Sequence, residues 1–129
     1  MRIVTWNVNS LKARLPRVLE LLEEHRPDVV CLQETKATDE AFPASELAGA
    51  GYASVHHSGG RWAGVALLAH AGLEMTEPQL SLPGDPVPEE ARWCEATIAG
   101  IRFISVYAPN GRALDSPEFP RKLAFLDAA

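Results

Sequence analysis

Three short segments of this 129-residue sequence carry side chains able to grip a ligand, and each falls where an apolar run ends. Asn7 and Asn9 close the segment Thr5-Trp6-Asn7-Val8-Asn9. Glu34 and Lys36 close Leu32-Gln33-Glu34-Thr35-Lys36, and Tyr107 lies in Ser105-Val106-Tyr107-Ala108-Pro109-Asn110. Amides, a carboxylate and a phenol offer the donors and acceptors that hold polar ligands. On open α/β sheets such ligands collect at the carboxyl ends of strands, so the three segments are expected to converge. Each segment alone has a plainer reading. Asn at a strand end is commonly a turn former, and a Tyr before Ala-Pro is commonly a half-buried packing residue. A Glu after an apolar strand is often no more than the first solvated side chain.

The elements that must position these residues follow from propensity and periodicity. Arg2 to Val8 is rich in β-branched and aromatic residues and predicts a strand, broken by Asn9-Ser10. Pro16 suits the first turn of a helix. Val18, Leu19 and Leu22 give that helix an apolar stripe, with Arg17, Glu20, Glu23 and Glu24 opposite. Pro27 stops it after His25-Arg26. Asp28 to Gln33 reads as a strand buried on both faces. Strand, helix and strand before Glu34 predict a βαβ unit with parallel pairing. Farther on, Tyr52–His57 and Gly64–Ala69 predict a hairpin turning at Gly59-Gly60. A second hairpin is expected from Arg92–Ile98 and Arg102–Tyr107 about Ala99-Gly100, after a loop from Pro78 to Pro88. Ala108-Pro109-Asn110-Gly111 reads as a turn, and a helical pattern runs from Asp115-Ser116-Pro117 to Ala129.

Composition narrows the class only slightly. Hydrophobic residues make up 47% and charged residues 22% of the chain, which is ordinary for a globular protein and unlike a disordered one. A net charge of −5 argues against wholesale nucleic-acid binding through a basic surface. It suits a site for a divalent cation, as it suits any soluble enzyme. Cys31 and Cys94 sit in strand-like runs and are expected as buried free thiols. No CxxC or Cys/His spacing suggests zinc, and a disulfide is disfavoured without a secretory context. Met1-Arg2-Ile3-Val4-Thr5-Trp6-Asn7 is too polar for a signal-peptide core, and no apolar run approaches a membrane span. The expectation is a soluble, cytoplasmic chain with no membrane partner.

Taken together and in order, four segments resemble the exodeoxyribonuclease III branch of the endonuclease/exonuclease/phosphatase superfamily. They are Trp6-Asn7-Val8-Asn9, Pro27-Asp28-Val29-Val30-Cys31-Leu32-Gln33-Glu34-Thr35-Lys36, Gly64-Val65-Ala66 and Tyr107-Ala108-Pro109-Asn110-Gly111. The resemblance runs from Met1 to the last residue, and Gln33-Glu34-Thr35-Lys36 is its most specific part. Arg121-Lys122-Leu123-Ala124-Phe125-Leu126 is similar to the helix that follows the Tyr motif in that family. The resemblance implies an α/β (α+β) fold, half of a two-sheet β-sandwich flanked by helices. It implies that Glu34 binds a catalytic Mg²⁺, with Mn²⁺ as an alternative, and that Asn7 lies beside it in the metal site. Tyr107 would contact the scissile phosphate, with Arg92, Lys36 and Asn9 supporting the substrate or the site. Mg²⁺ is a hard cation held by one or two carboxylates together with water and substrate phosphate, and it offsets charge developing on the phosphoryl group. The implied activity is Mg²⁺-dependent hydrolysis of DNA phosphodiesters in repair: a 3′→5′ exonuclease and abasic-site endonuclease acting on double-stranded DNA at abasic sites or 3′ ends.

Full members of the family carry a later Asp-x-Asn motif and a terminal Asp-His pair, which orient the nucleophile and bind the phosphate. Neither motif occurs in this sequence. His25, His56, His57 and His70 form no Asp-His pair and are expected at surfaces or turns. Residues 1–129 therefore read as the N-terminal half of such a domain, with the C-terminal half absent. The half is expected to be truncated, inactive alone and monomeric when complete, and to expose an apolar sheet face where a second half would pack. Ala63 stands where a polar or aromatic residue is expected. Two other readings remain open: a superfamily phosphatase acting on a lipid or small phosphoester, and a non-catalytic fragment that binds a partner. Lys12, Arg14 and Arg17 lean toward a DNA backbone, against the alternative of a solvated helix face. The expected geometry has Asn7, Glu34 and Tyr107 in one cleft at one sheet rim. Arg92 should approach from a neighbouring strand, and Glu34 should be this chain's only carboxylate at the metal.

Overall fold

The protein is described by a computed structural model covering residues 1–129. β1 (Ile3–Asn7) leads through α1 (Leu11–His25) into β2 (Val29–Gln33). A short α2 (Ala44–Gly49) precedes β3 (Tyr52–His57) and β4 (Val65–His70). β5 (Met75–Gln79), a 3₁₀ turn at Pro88–Glu90, β6 (Trp93–Ile98), β7 (Ile101–Val106) and α3 (Glu118–Ala128) complete the chain. The strands form two sheets, ordered β1-β2-β4-β3 and β5-β6-β7. β1 and β2 pair in parallel, as the expected βαβ unit requires, and every other pairing is antiparallel.

Alternation along β2 explains the layering. Val30 and Leu32 face the helix side, where they pack with Val18 and Leu22 of α1, Leu47 of α2 and Tyr52. Val29 and Cys31 point the other way, into a core shared with Cys94, Ala96, Ile98 and Phe103 of the second sheet. Four of the five β2 residues are buried, as expected for a strand covered on both faces. On the outer face of the second sheet α3 covers the end at Trp93. Phe125 meets Trp93 edge-to-face at 6.5 Å between ring centres, with Leu82 alongside. The result is a β-sandwich with α1 and α2 on the outer face of the first sheet and α3 against one end of the second. Cys31 and Cys94 are buried free thiols, and no helix is long and apolar enough to cross a membrane.

Several expectations need correction. α1 starts at Leu11, well before Pro16, which lies inside the helix. The start is fixed by the Ser10 hydroxyl, which accepts the Ala13 N–H at 3.3 Å, a side-chain cap that satisfies one of the helix's open donors. Pro16 removes the N–H that would have reached the Lys12 carbonyl, and its ring crowds that carbonyl. The stretch through Pro78 is not all loop, since β5 runs to Gln79 along the edge of its sheet. Its register shifts between Thr76 and Gln79, and an edge tolerates the proline there. The expected exposed apolar face contracts to two edge strands. Ile3 on β1 and Ile101, Ile104 and Val106 on β7 are exposed, while β2 and β4 are covered on both faces and β6 on its inner face. His56 and His57 are half-buried rather than solvated. The His56 ring stacks on Phe42 at 3.8 Å, and its Nδ1 lies 2.7 Å from the Ser58 hydroxyl.

Candidate active site

Parallel pairing brings the first two motifs to one rim. Asn7 is in register with Gln33, so both chains leave the sheet at the same end and Glu34 emerges beside Asn7. The turn after β2 is sharply folded: Glu34 has φ 55° and Lys36 φ 50°, values uncommon outside glycine and frequent at functional sites. Backbone hydrogen bonds hold it on two sides. Ser10 and Leu11 donate to the carbonyls of Glu34 and Thr35 at 2.8 and 2.9 Å. Thr35 and Lys36 donate to the carbonyls of Gly64 and Ala63 at 3.1 and 3.0 Å. Such close approach requires glycine at position 64, where φ is 89° and an added Cβ would overlap the Thr35 hydroxyl. The Gly64-Val65-Ala66 segment thus braces the turn that presents Glu34.

A closed ring of polar contacts surrounds the carboxylate. The Asn7 amide donates to Glu34 Oε1 at 2.8 Å, and the Asn7 side-chain oxygen accepts the Asn9 N–H at 3.2 Å. Lys36 Nζ lies 3.2 Å from Glu34 Oε2 and donates to Asn9 Oδ1 at 2.6 Å. The hydrogen bond from Asn7 lowers the Glu34 pKa below its ordinary value, aided by Tyr107 and Lys36 and opposed by partial burial. Glu34 is thereby kept ionised. In this arrangement Asn7 offers its nitrogen to Glu34, so it orients the carboxylate.

Tyr107 follows β7, and its backbone N–H donates to the Arg92 carbonyl at 2.9 Å. Burial raises the phenol's pKa, with further upward pressure from the neighbouring Glu34 carboxylate and relief from Arg92. Arg92 reaches the site from the residue preceding β6. Its guanidinium carbon lies 5.1 Å from the centre of the Tyr107 ring, and its Nε donates to Glu90 at 2.7 Å. Glu34, Lys36, Arg92 and Tyr107 line one cleft of about 410 Å³. Asn7 and Asn9 are exposed and do not line it, but hydrogen bonds join them to Glu34 and Lys36, which do. Lys12, Arg14 and Arg17 are exposed on α1 and do not line the cleft.

Sequence reasoning missed part of the wall. Trp62 lines the cleft and is 68% exposed, with the Arg61 guanidinium 5.4 Å from its ring centre. Glu90, Asn110 and Arg112 also face the cleft. Asn110 lies inside the Tyr107 motif and so carried a signal. Trp62 and Arg112 sit in turns, where no periodicity points to a site.

The donor set can be tested against a metal. No three His, Cys, Asp or Glu side chains gather as a multidentate site would need. Glu90, the other carboxylate at the cleft, is engaged by Arg92. A single ionised carboxylate at a wet cleft fits a hard cation that keeps most of its water, such as Mg²⁺.

Comparison with known proteins bears on the same geometry. The model of the Endonuclease/Exonuclease/phosphatase family matches residues 4–128. The chain belongs to this family. It is 32% identical over 133 residues to exodeoxyribonuclease III of Haemophilus influenzae, covering 97% of the chain and 48% of that relative. A 3′-5′ exonuclease from Neisseria meningitidis superposes with a TM-score of 0.93 at 40% identity, over 99% of this chain and 49% of that one. An AP endonuclease from Archaeoglobus fulgidus superposes with a TM-score of 0.92 at 35% identity, again over 99% of this chain and 49% of that one. The chain thus spans about half the length of the family members it matches.

Proposed function

We propose that residues 1–129 form the N-terminal half of a Mg²⁺-dependent DNA-repair nuclease of the exodeoxyribonuclease III type. The observation that carries this reading is the engagement of one carboxylate, Glu34, by the Asn7 amide at 2.8 Å and the Lys36 ammonium at 3.2 Å, in a cleft that Glu34 and Lys36 line together with Tyr107 and Arg92. Glu34 would hold the divalent cation, which when bound offsets negative charge on the phosphoryl group. Asn7 fixes the carboxylate's orientation through its 2.8 Å hydrogen bond. Tyr107, protonated at neutral pH, presents a donor for a non-bridging oxygen of the scissile phosphate. Arg92 holds the phenol in place and adds positive charge to that wall. The relatives' names point to DNA as substrate, abasic sites and 3′ ends included. The exposed edge strands β1 and β7 are where a second half would extend both sheets.

The experiment joins residues 1–129 to the C-terminal half of the Neisseria meningitidis exonuclease, at the limit of structural superposition. The fusion is assayed on duplex DNA carrying an abasic site or a recessed 3′ end, with Mg²⁺ and with EDTA. EDTA-sensitive cleavage by the fusion, with negligible cleavage by residues 1–129 alone, is the expected result. A soluble, folded fusion inactive on both substrates would overturn the reading.

A further inference from the structure

We propose that Lys36 is a built-in counter-ion of Glu34 that competes with the divalent cation for that carboxylate. The inference rests on the reading that Glu34 is the metal-binding residue. Both oxygens of Glu34 are engaged within the chain, Oε1 by the Asn7 amide and Oε2 by the Lys36 ammonium at 3.2 Å. The two contacts differ in kind. Asn7 is neutral and leaves room for a cation at the same carboxylate, whereas Lys36 brings a full positive charge to it. A hard cation binds its carboxylate through direct contact with oxygen, and the repulsion it meets from a nearby ammonium doubles with its double charge.

The position of Lys36 is specified rather than incidental. Its ammonium also donates to Asn9 Oδ1 at 2.6 Å, and its backbone is pinned to Ala63 in a left-handed conformation. Arg92 is held by Glu90, which leaves Lys36 as the cation in contact with Glu34. A lysine stem is flexible and its head is a compact, strongly hydrated charge, so it can leave the carboxylate without disturbing the turn. Divalent-cation binding at Glu34 and the Glu34–Lys36 contact then oppose each other, and each weakens the other by the same factor.

A purely positioning role for Lys36 makes the opposite forecast, which gives the test its force. Binding of Mn²⁺ to the 129-residue chain is measured by electron paramagnetic resonance of the free ion, with folding checked by circular dichroism. Wild type is compared with Lys36→Met, Lys36→Arg and Glu34→Gln. Competition requires Lys36→Met to lower the Kd about five-fold or more, within the usual range of coupling between sites. Lys36→Arg, which keeps the charge, stays near wild type. Glu34→Gln loses the binding. An unchanged or raised Kd in Lys36→Met, with Glu34→Gln still inactive in binding, would overturn the role of Lys36 alone. Retained binding in Glu34→Gln would overturn the underlying assignment of Glu34 as well.

Discussion

Arg92 grips Tyr107 twice: its guanidinium carbon lies 5.1 Å from the centre of the phenol ring, and its Nη1 donates to the Tyr107 carbonyl at 3.3 Å. The two contacts anchor a residue that lies just beyond the last strand. They also set two charges against each other at the phenol. Glu34 favours the protonated form and Arg92 the ionised one, while burial adds the largest push upward.

The signs of those influences are open to measurement. In a Tyr52→Phe background, ultraviolet difference spectra report the titration of Tyr107 alone. Glu34→Gln removes a negative neighbour, so the Tyr107 pKa should fall toward its ordinary 10.0. Arg92→Ala removes a positive one, and the pKa should rise further. The same direction of movement in both variants would show that the phenol does not lie between the two charges.

Gly64 is expected to tolerate no side chain. Gly64→Ala must adopt φ 89° and press its Cβ on the Thr35 hydroxyl, at a cost of about 2–4 kcal/mol from backbone strain and overpacking together. Urea denaturation measures the loss. Thr35→Ala in the same chain should recover part of it by removing the obstructing hydroxyl. That hydroxyl is buried with no hydrogen-bond partner, so Thr35→Val alone should leave stability nearly unchanged.

Much of this arrangement was legible in the residues. The apolar run ending at Gln33, the helix stripe before it and the Ala99-Gly100 turn identify β2, α1 and the β6–β7 hairpin, and with them the rim where Glu34 and Tyr107 meet. Strand-end placement of Asn7 carried the rest of the polar ring. Other features left no local trace. Pro16 misdirected the start of α1, because the Ser10 cap opens the helix at Leu11 and burial of Leu11, Val18 and Leu22 holds it through the proline. β5 pairs along a sheet edge and carries a proline that reads as loop. The burial of His56 depends on Phe42, a contact across chain segments that alternation in β3 cannot reveal. Trp62 joins the cleft through the fold of a turn, and no periodicity reports that.

Both cysteines should be chemically silent until the sandwich opens. Burial pushes the Cys31 thiol up to about 11 and the Cys94 thiol up to about 12, from an ordinary 9.0. Because the folded state holds these protons more tightly, the associated stability is intact below pH 9.0 and falls as pH rises toward the folded values. Native protein at pH 8 should leave 5,5′-dithiobis(2-nitrobenzoate) unreacted, with both thiols titrating after unfolding in urea. Thermal stability should drop on the alkaline side of that window, and replacing both residues with Ala should flatten the drop. Immediate reaction of either thiol in folded protein would contradict the packing of the two sheets.

The most direct measurement concerns Glu34 itself, in the fusion with the C-terminal half of the Neisseria meningitidis exonuclease. Cleavage of abasic duplex DNA is followed under single-turnover conditions across a Mg²⁺ titration, for wild type and for Glu34→Gln. Residues that merely support a metal ligand commonly cost roughly 10–100-fold in activity or metal affinity. Loss of the ligand should therefore lower the rate by more than about 100-fold and displace the Mg²⁺ dependence to higher concentration. A folded Glu34→Gln fusion that cleaves within two-fold of wild type, at the same Mg²⁺ midpoint, would contradict the placement of the metal at Glu34.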